Sequence, residues 1–562
     1  MTALSVGALL LSGALGAFAG GGSDTGAADE KLEFTWTGLF SATTIDDNPV
    51  EQMIEEMFNV DITNVPIPYN DDEAQALALA SGDYPDVLYT WVNMIDWYLK
   101  GAFRSVPRSM IEEHAPHLTA SFDALGPGAW YYGLAPGSSD EYIGISNRED
   151  GQEGCGYLPQ WRLDWLEAAG LAPDMSGAED LAPTAAPETY MRLLESFTWD
   201  EVERIMAAFS AGDFDGNGRV DSTALQGSGE RPEYWRSHGM VFISFGINDV
   251  LNFEEADGST SMKYNAERSK EALKVLQRWW QAGYLDPELP VVDKNQMENR
   301  IIQGNVGSWM RSNACGRSLE DGGTDTCTKI IDEGGNADAR VLTTLTPVSP
   351  FGDTRCRQEN RALPMNPQAS TTFKVGMSDG KLARALQIYD WANYHPEGQI
   401  ISWFGRPGVD FQWEGEAWNS MIIRPTDDGC CSLDWQGERG LLAYNGYVRE
   451  PEYSRFTTSE WAKENAALFQ DPNSPVNHSK KAFREDIFAT TRYEELYSTH
   501  RGTLDTIKDE QWWTWITGDG NIDAEWPGYV QTLMNNGLRE ILAEAEKAPL
   551  VSDILAGRVT PP

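Results

Sequence analysis

Cysteine is scarce here, with six in 562 residues, which excludes a scaffold built mainly from disulfides. Cys315 and Cys327 bracket a Gly/Asp-rich loop in a position to staple it. Cys155, Cys356 and the adjacent Cys430 and Cys431 remain, and six cysteines admit fifteen pairings that sequence does not separate. Histidine is as sparse: His114, His117, His238, His395, His478 and His500 are scattered, and Pro116 breaks the one close pair. No zinc spacing results. Basic residues are outnumbered two to one, 43 against 86 acidic, for a formal charge of −43, which argues against nucleic acid or an anionic lipid surface as partner. Beyond the N-terminus no stretch approaches the 18 or so apolar residues of a membrane span. Phosphate-loop, H-E-x-x-H and G-x-S-x-G signatures are also missing.

What is present is a large, aromatic-rich chain. Apolar residues make up 41% and tryptophan alone 21 positions, a globular composition with room for two to four domains. The first nineteen residues are uncharged, with Leu9-Leu10-Leu11 as an apolar core and Ala17-Phe18-Ala19 as an A-x-A cleavage signal. Residues 1–19 therefore read as an export signal and 20–31 as a linker. Phe18-Ala19-Gly20 would resemble a lipidation box, but Gly21 stands where the cysteine would be.

The sharpest local signal is Asp213-Phe214-Asp215-Gly216-Asn217-Gly218-Arg219-Val220-Asp221. Asp213, Asp215, Asn217 and Asp221 offer oxygen side chains at loop positions 1, 3, 5 and 9, Gly218 supplies the sharp turn at position 6, and Arg219 a backbone carbonyl at 7. That order suits a hard cation, calcium. Position 12 is Ala224 rather than glutamate, so Ser222, Thr223 or water must complete the shell. A capping box, Thr198 to Glu201, starts a helix with Val202, Ile205, Met206 and Phe209 on one face, and no matching helix follows the loop. A lone loop of this kind is a structural clamp rather than a sensor.

Further elements follow from periodicity. Leu32 to Trp36, Val60 to Ile62 and Val87 to Tyr89 read as strands separated by helices near 48–58 and 71–82, an α/β pattern whose ligand sits at the strand ends. Gln160 to Leu171 reads as a helix stopped by Gly170. Glu267 to Gln281 reads as a helix with Leu273, Leu276 and Trp280 on one face, and Val306 to Met310 and Val341 to Leu345 as strands.

In this order the chain resembles the family 1 extracellular solute-binding proteins of ABC importers, in the large oligosaccharide-binding branch of the LplA and alginate-binding type. The likeness rests on Gly82-Asp83-Tyr84-Pro85-Asp86-Val87-Leu88, Arg162-Leu163-Asp164-Trp165-Leu166, the calcium loop, Gly405 to Gly415, Trp515 to Gly520 and Trp526-Pro527-Gly528-Tyr529-Val530, across about residues 32–547. It departs at Ser222, where the branch carries a second acidic residue. The resemblance implies a hinged, two-lobed α/β periplasmic-binding-protein-like fold of type II with a calcium loop inserted. Residues 32–140 with 346–400 would form one lobe. Residues 141–345 with 401–562 would form the other, carrying the loop 213–224. It also implies oligosaccharide capture, delivery to ABC permease subunits, an extracytoplasmic monomer and no chemistry on the ligand.

Independently, sugar rings need indole faces for their C–H patches and amides, carboxylates or guanidiniums for their hydroxyls. Candidates taken from loops and strand ends are Trp91, Asn93, Asp96, Tyr131, Tyr132, Trp235, Arg236, Trp309, Arg311, Trp403, Arg406 and Trp413, whereas Trp165, Trp199, Trp280 and Trp391 fall on helices as packing residues. Arg311 and Arg406 would suit a uronate or sulfate, but arginines equally often make surface ion pairs, so neutral and acidic saccharides are both open. A secreted glycoside hydrolase or lyase, and a surface glycan-binding protein without an importer, are the alternatives.

Overall fold

The computed structural model describes residues 31–559 except 70, 149–156, 215–217, 221, 248–251, 256–257, 313–314, 317–325, 350–364, 418–419, 421, 424–432, 447, 449–486, 489, 551–552 and 555. The signal segment, the linker up to Glu30, and the four cysteines other than Cys315 and Cys327 lie outside them.

Two five-stranded mixed sheets organise the molecule. Strands β1 (Leu32–Thr37), β2 (Val60–Asn64) and β3 (Val87–Thr90) run parallel, with β1 between the other two. The helix Pro49–Phe58 crosses from β1 to β2, capped by the Asn48 side chain on the Glu51 amide. The helix Asp72–Ser81 crosses from β2 to β3 and ends at Gly82, whose φ of +78° a β-carbon would resist. Strand β4 (Ile145–Arg148) joins through β10 (Met365–Phe373), which enters from far along the chain and lies antiparallel to both β3 and β4. The first sheet therefore reads β2-β1-β3-β10-β4.

The second sheet contains β5 (Tyr157–Arg162), β6 (Glu179–Asp180), β7 (Tyr190–Ser196), β8 (Ser308–Ser312) and β9 (Val341–Leu345), in the order β8-β5-β9-β7-β6. Here β9 and β7 are parallel, and β5 is antiparallel to both β8 and β9.

Each sheet carries its own core. Phe34, Trp36, Val87 and Phe373 pack with Leu382, Leu386 and Tyr389 of the helix Asp379–Asn393. In the second lobe Trp161 and Trp165 join Phe209, Trp279, Trp512 and Trp515, with Phe242 stacked on Trp512 at 5.5 Å. The long helix Thr491–Thr517 supplies the last two indoles.

This division moves the lobe boundaries expected from sequence. Strand β4 belongs to the first sheet, not the second lobe, and Leu441, Ala443, Tyr444 and Val448 belong to the first core. Strand β4 pairs with a partner more than two hundred residues away, and local hydrophobic pattern does not specify such a partner. The chain thus passes between sheets after Arg148, after Leu345 and after Val448. The first two passages join the C-terminal edge of β3 and β4 to the edge of the second sheet holding the start of β5 and the ends of β7 and β9. The link 149–156 spans at most ~30 Å fully extended. These strand edges therefore flank a common gap.

Two local expectations also change. Residues 160–162 are strand, and the helix is only Leu163–Ala168, because Gln160 and Arg162 register against Thr343 and Val341 of β9. On the helix Glu267–Gln281 it is Trp279, not Trp280, that is fully buried with Leu273 and Leu276.

Candidate functional site

Strand β3 delivers aromatic side chains to the edge of the gap. Tyr89 is buried, and its hydroxyl accepts a 2.6 Å hydrogen bond from the Trp91 indole nitrogen two residues on. Trp91 itself is 40% exposed, so a fixed indole is presented to solvent. Tyr69, which follows β2, packs against Trp91 at 5.6 Å and Tyr89 at 6.1 Å. Phe40, which follows β1, packs against Tyr69 at 6.3 Å. All three parallel strands thus place an aromatic ring just past their C-terminal ends, where α/β sheets bind ligands.

The patch continues through Trp403, the half-buried penultimate residue of the helix Pro396–Phe404. It packs both on the cluster around Tyr89 and on the cluster of Phe404, Phe411 and Trp413. Trp413 meets Phe411 edge-on at 5.4 Å. Trp91, Trp403 and Trp413, singled out from sequence, therefore share one aromatic surface. Phe40, Tyr69 and Tyr89 were missed there. For Phe40 and Tyr69 the signal was position, one aromatic past each of β1 and β2, and for Tyr89 its place within β3 two residues before Trp91, rather than any motif.

Polar groups lie beneath this surface. Asn147 of β4 donates to the Tyr89 hydroxyl at 3.3 Å, and its amide oxygen is buried without a hydrogen bond among the described residues. Thr90 donates to the buried Gln75 side chain at 2.6 Å.

The other candidates are placed differently. Asn93 caps the helix Met94–Leu99, its side chain accepting from the amides of Ile95 and Asp96. The loop expected at 90–97 is therefore half helix. Asp96 sits on that helix, half-buried, with one carboxylate oxygen buried and unbonded. Tyr131 meets Phe488 edge-on at 5.7 Å, and Tyr132 packs on the first core. Trp235 and Arg236 open the helix Trp235–Ser244, and their side chains lie outside the described residues. Trp309 is 1% exposed inside the core of Leu181, Tyr190 and Ile301; strand alternation turns it inward, and it is not a surface platform. Arg311 binds Glu298 and Thr326, each within 2.7 Å. It stands beside the loop that the Cys315–Cys327 disulfide closes. Arg406 is bound by Asp410, which Arg439 also approaches at 3.2 Å. Burial would raise the Asp410 pKa, but the hydrogen bonds and charge of Arg406 outweigh it and hold the carboxyl below its usual range. Both guanidiniums are thus already engaged.

The glycine-bearing loop stands on a firm base. Its helix Trp199–Ala211 opens with the Thr198–Glu201 capping box and buries Val202, Ile205, Met206 and Phe209. Phe214 stacks on Trp165 at 5.1 Å. The Asp213 carboxylate accepts the Gly218 amide at 2.9 Å, closing position 1 on position 6, and Gly218 takes φ +82°. Past the loop the chain runs extended, with bridges from Thr223 to Val306 and from Leu225 to Leu285, and no helix follows directly. The Ser222 hydroxyl and the Asn305 side-chain oxygen are buried without hydrogen bonds among the described residues. Ala224 is fully buried in the core. Asp215, Asn217 and Asp221 lie outside the described residues. An oxygen-only donor set, a closed turn and unbonded buried oxygens beside it fit a hard cation.

No family model matches the chain. It is 25% identical, over 586 aligned residues and 96% of each chain, to the fructooligosaccharide ABC transporter substrate-binding protein FusA of Streptococcus pneumoniae serotype 4. The solved structure of FusA with kestose superposes with a TM-score of 0.67 at 17% identity, covering 94% of this chain and all of that one. A FusA EF-hand mutant with fructo-nystose gives the same TM-score at 18% identity, with the same coverage of both chains. The alginate-binding protein AlgQ2, solved without calcium, gives 0.65 at 18% identity over 93% of this chain and 98% of that one. The fold is that of an ABC-importer solute-binding protein. In solute-binding terms, the two sheets are the cores of two lobes, and the aromatic patch lies at the C-terminal ends of the first lobe's parallel strands.

Proposed function

We propose that this chain captures an oligosaccharide between its lobes and delivers it, chemically unchanged, to the permease subunits of an ABC importer. The observation that carries the reading is the aromatic surface at the C-terminal ends of β1, β2 and β3, centred on the exposed Trp91. A row of rings with buried amides beneath is what a chain of pyranose or furanose rings requires. The full-length similarity to FusA supports transport over the hydrolase and lyase alternatives. Because Arg311 and Arg406 are held by Glu298 and Asp410, a neutral saccharide fits better than a uronate or sulfate.

Calcium belongs to this proposal as a structural ion. Asp213, Asp215, Asn217, Asp221, the Arg219 carbonyl and Ser222 would hold it, and bound there it would fix the loop on Trp165. The ligand surface lies on the other lobe, so the ion takes no part in contact with the sugar. Export is proposed from the leader at 1–19; among the described residues no helix is long and apolar enough to cross a membrane.

Calorimetric titration with neutral fructo-, gluco- and manno-oligosaccharides and with alginate oligomers tests the reading. Saturable one-to-one binding of a neutral oligosaccharide is expected. Binding confined to the acidic oligomers would overturn the neutral assignment.

A further inference from the structure

The lobes also meet at a seam made of like charges. The helix Met94–Leu99 of the first lobe packs against the start of the helix Thr491–Thr517 of the second. Tyr131 touches Phe488 beside this contact. Asp96 lies on the first of these helices and Glu494 in the first turn of the second, near enough for the charge of one to act on the other. One oxygen of Asp96 is buried with no hydrogen bond among the described residues.

No cation neutralises the pair among the described residues. Arg492 is engaged by Glu495 at 3.1 Å, and Arg501 by Asp505 at 3.4 Å while lying 5.7 Å over the Tyr497 ring. Lys100 lies 4.5 Å over the Trp97 ring. The remaining titratable neighbours are Tyr497 on the same helix, Tyr264, which donates to Asp505 at 2.9 Å, and Tyr131. Phenols are neutral through the range concerned.

We propose that Asp96 and Glu494 form a proton-linked latch, in which one shared proton holds the lobes together at this seam and its loss lets them part. Two half-buried carboxylates with no cation on them among the described residues carry their charges together only at a cost, whereas one proton removes the repulsion and supplies a hydrogen-bond donor at the seam. Burial and then the neighbouring Asp96 charge push Glu494 up to about 7. When the seam opens, water and distance return it towards its ordinary value of 4.5. The latched arrangement therefore binds the extra proton. It is favoured most below the ordinary carboxylate range, loses its advantage as pH rises towards 7, and gains nothing further above. The latch rests on the two-lobed fold and not on any particular ligand.

Hydrogen exchange of the sugar-free protein tests it, with intrinsic amide rates corrected for pH. Protection across Met94–Leu99 should fall by roughly tenfold or more between pH 5 and pH 8 in the natural protein. It should stay level in Glu494→Gln, with a smaller fall in Asp96→Asn because burial still acts on Glu494. Level protection in the natural protein, or the same fall in Glu494→Gln, would overturn the latch. If Glu494→Gln does not fold, Asp96→Asn decides: an undiminished fall overturns the latch and a reduced one supports it. Because no sugar is present, failure here leaves the binding proposal untouched.

Discussion

Trp91 and Trp309 look alike in the sequence, each at or near the end of a short expected strand, yet the fold gives them opposite work. Trp91 is held by Tyr89 and open to solvent, while Trp309 is sealed in a core. Trp91→Ala should weaken oligosaccharide binding by about 1–3 kcal/mol in calorimetry with little change in unfolding free energy. Trp309→Ala should instead cost about 3–5 kcal/mol of stability in a denaturant titration. Reversal of the two outcomes would mean the platform lies elsewhere. The sequence could not make this distinction, because which face of β8 meets a core depends on its pairing with β5. The roles of the two arginines stayed open in the sequence for a related reason: a guanidinium's partner is legible only once Asp410 or Glu298 is brought beside it.

At the scale of elements, the surroundings of the loop at 213–224 were legible from spacing alone. Its capping box, its entering helix and the lack of a second helix directly behind it all stand in the structure. A chelator should lower the melting temperature, and Asp213→Ala should do so while abolishing further response to chelator; at a thousandfold excess over its dissociation constant the ion would contribute about 4 kcal/mol. Equal melting with and without chelator would count against an ion there. Less legible was the buried cluster in which Glu233 bridges Lys263 and Lys508, three residues drawn from separate segments. Burial opposes ionisation of Glu233, but the two lysines outweigh it and hold its pKa far below the usual value. Its contribution is therefore complete above the ordinary glutamate range and declines as pH falls below it. Glu233→Gln leaves two buried ammonium groups short of a partner and should destabilise the protein by about 3–5 kcal/mol at neutral pH. A loss below about 0.5 kcal/mol would show that the cluster is hydrated or plastic.

Across the whole molecule, the parallel strands and their crossover helices were plain from periodicity, because each is a local pattern. The lobe boundaries were not, since β4 and β10 pair across more than two hundred residues and Leu441, Ala443, Tyr444 and Val448 return to the first core. The strand edges that flank the gap follow from that long-range pairing, and so does the aromatic patch at the ends of three separate strands. The most direct measurement is a calorimetric titration with neutral oligosaccharides, followed by mass spectrometry of the ligand recovered after long incubation. The account predicts saturable one-to-one binding and a ligand recovered at its original length. Shortened products, or no binding to any oligosaccharide, would contradict it.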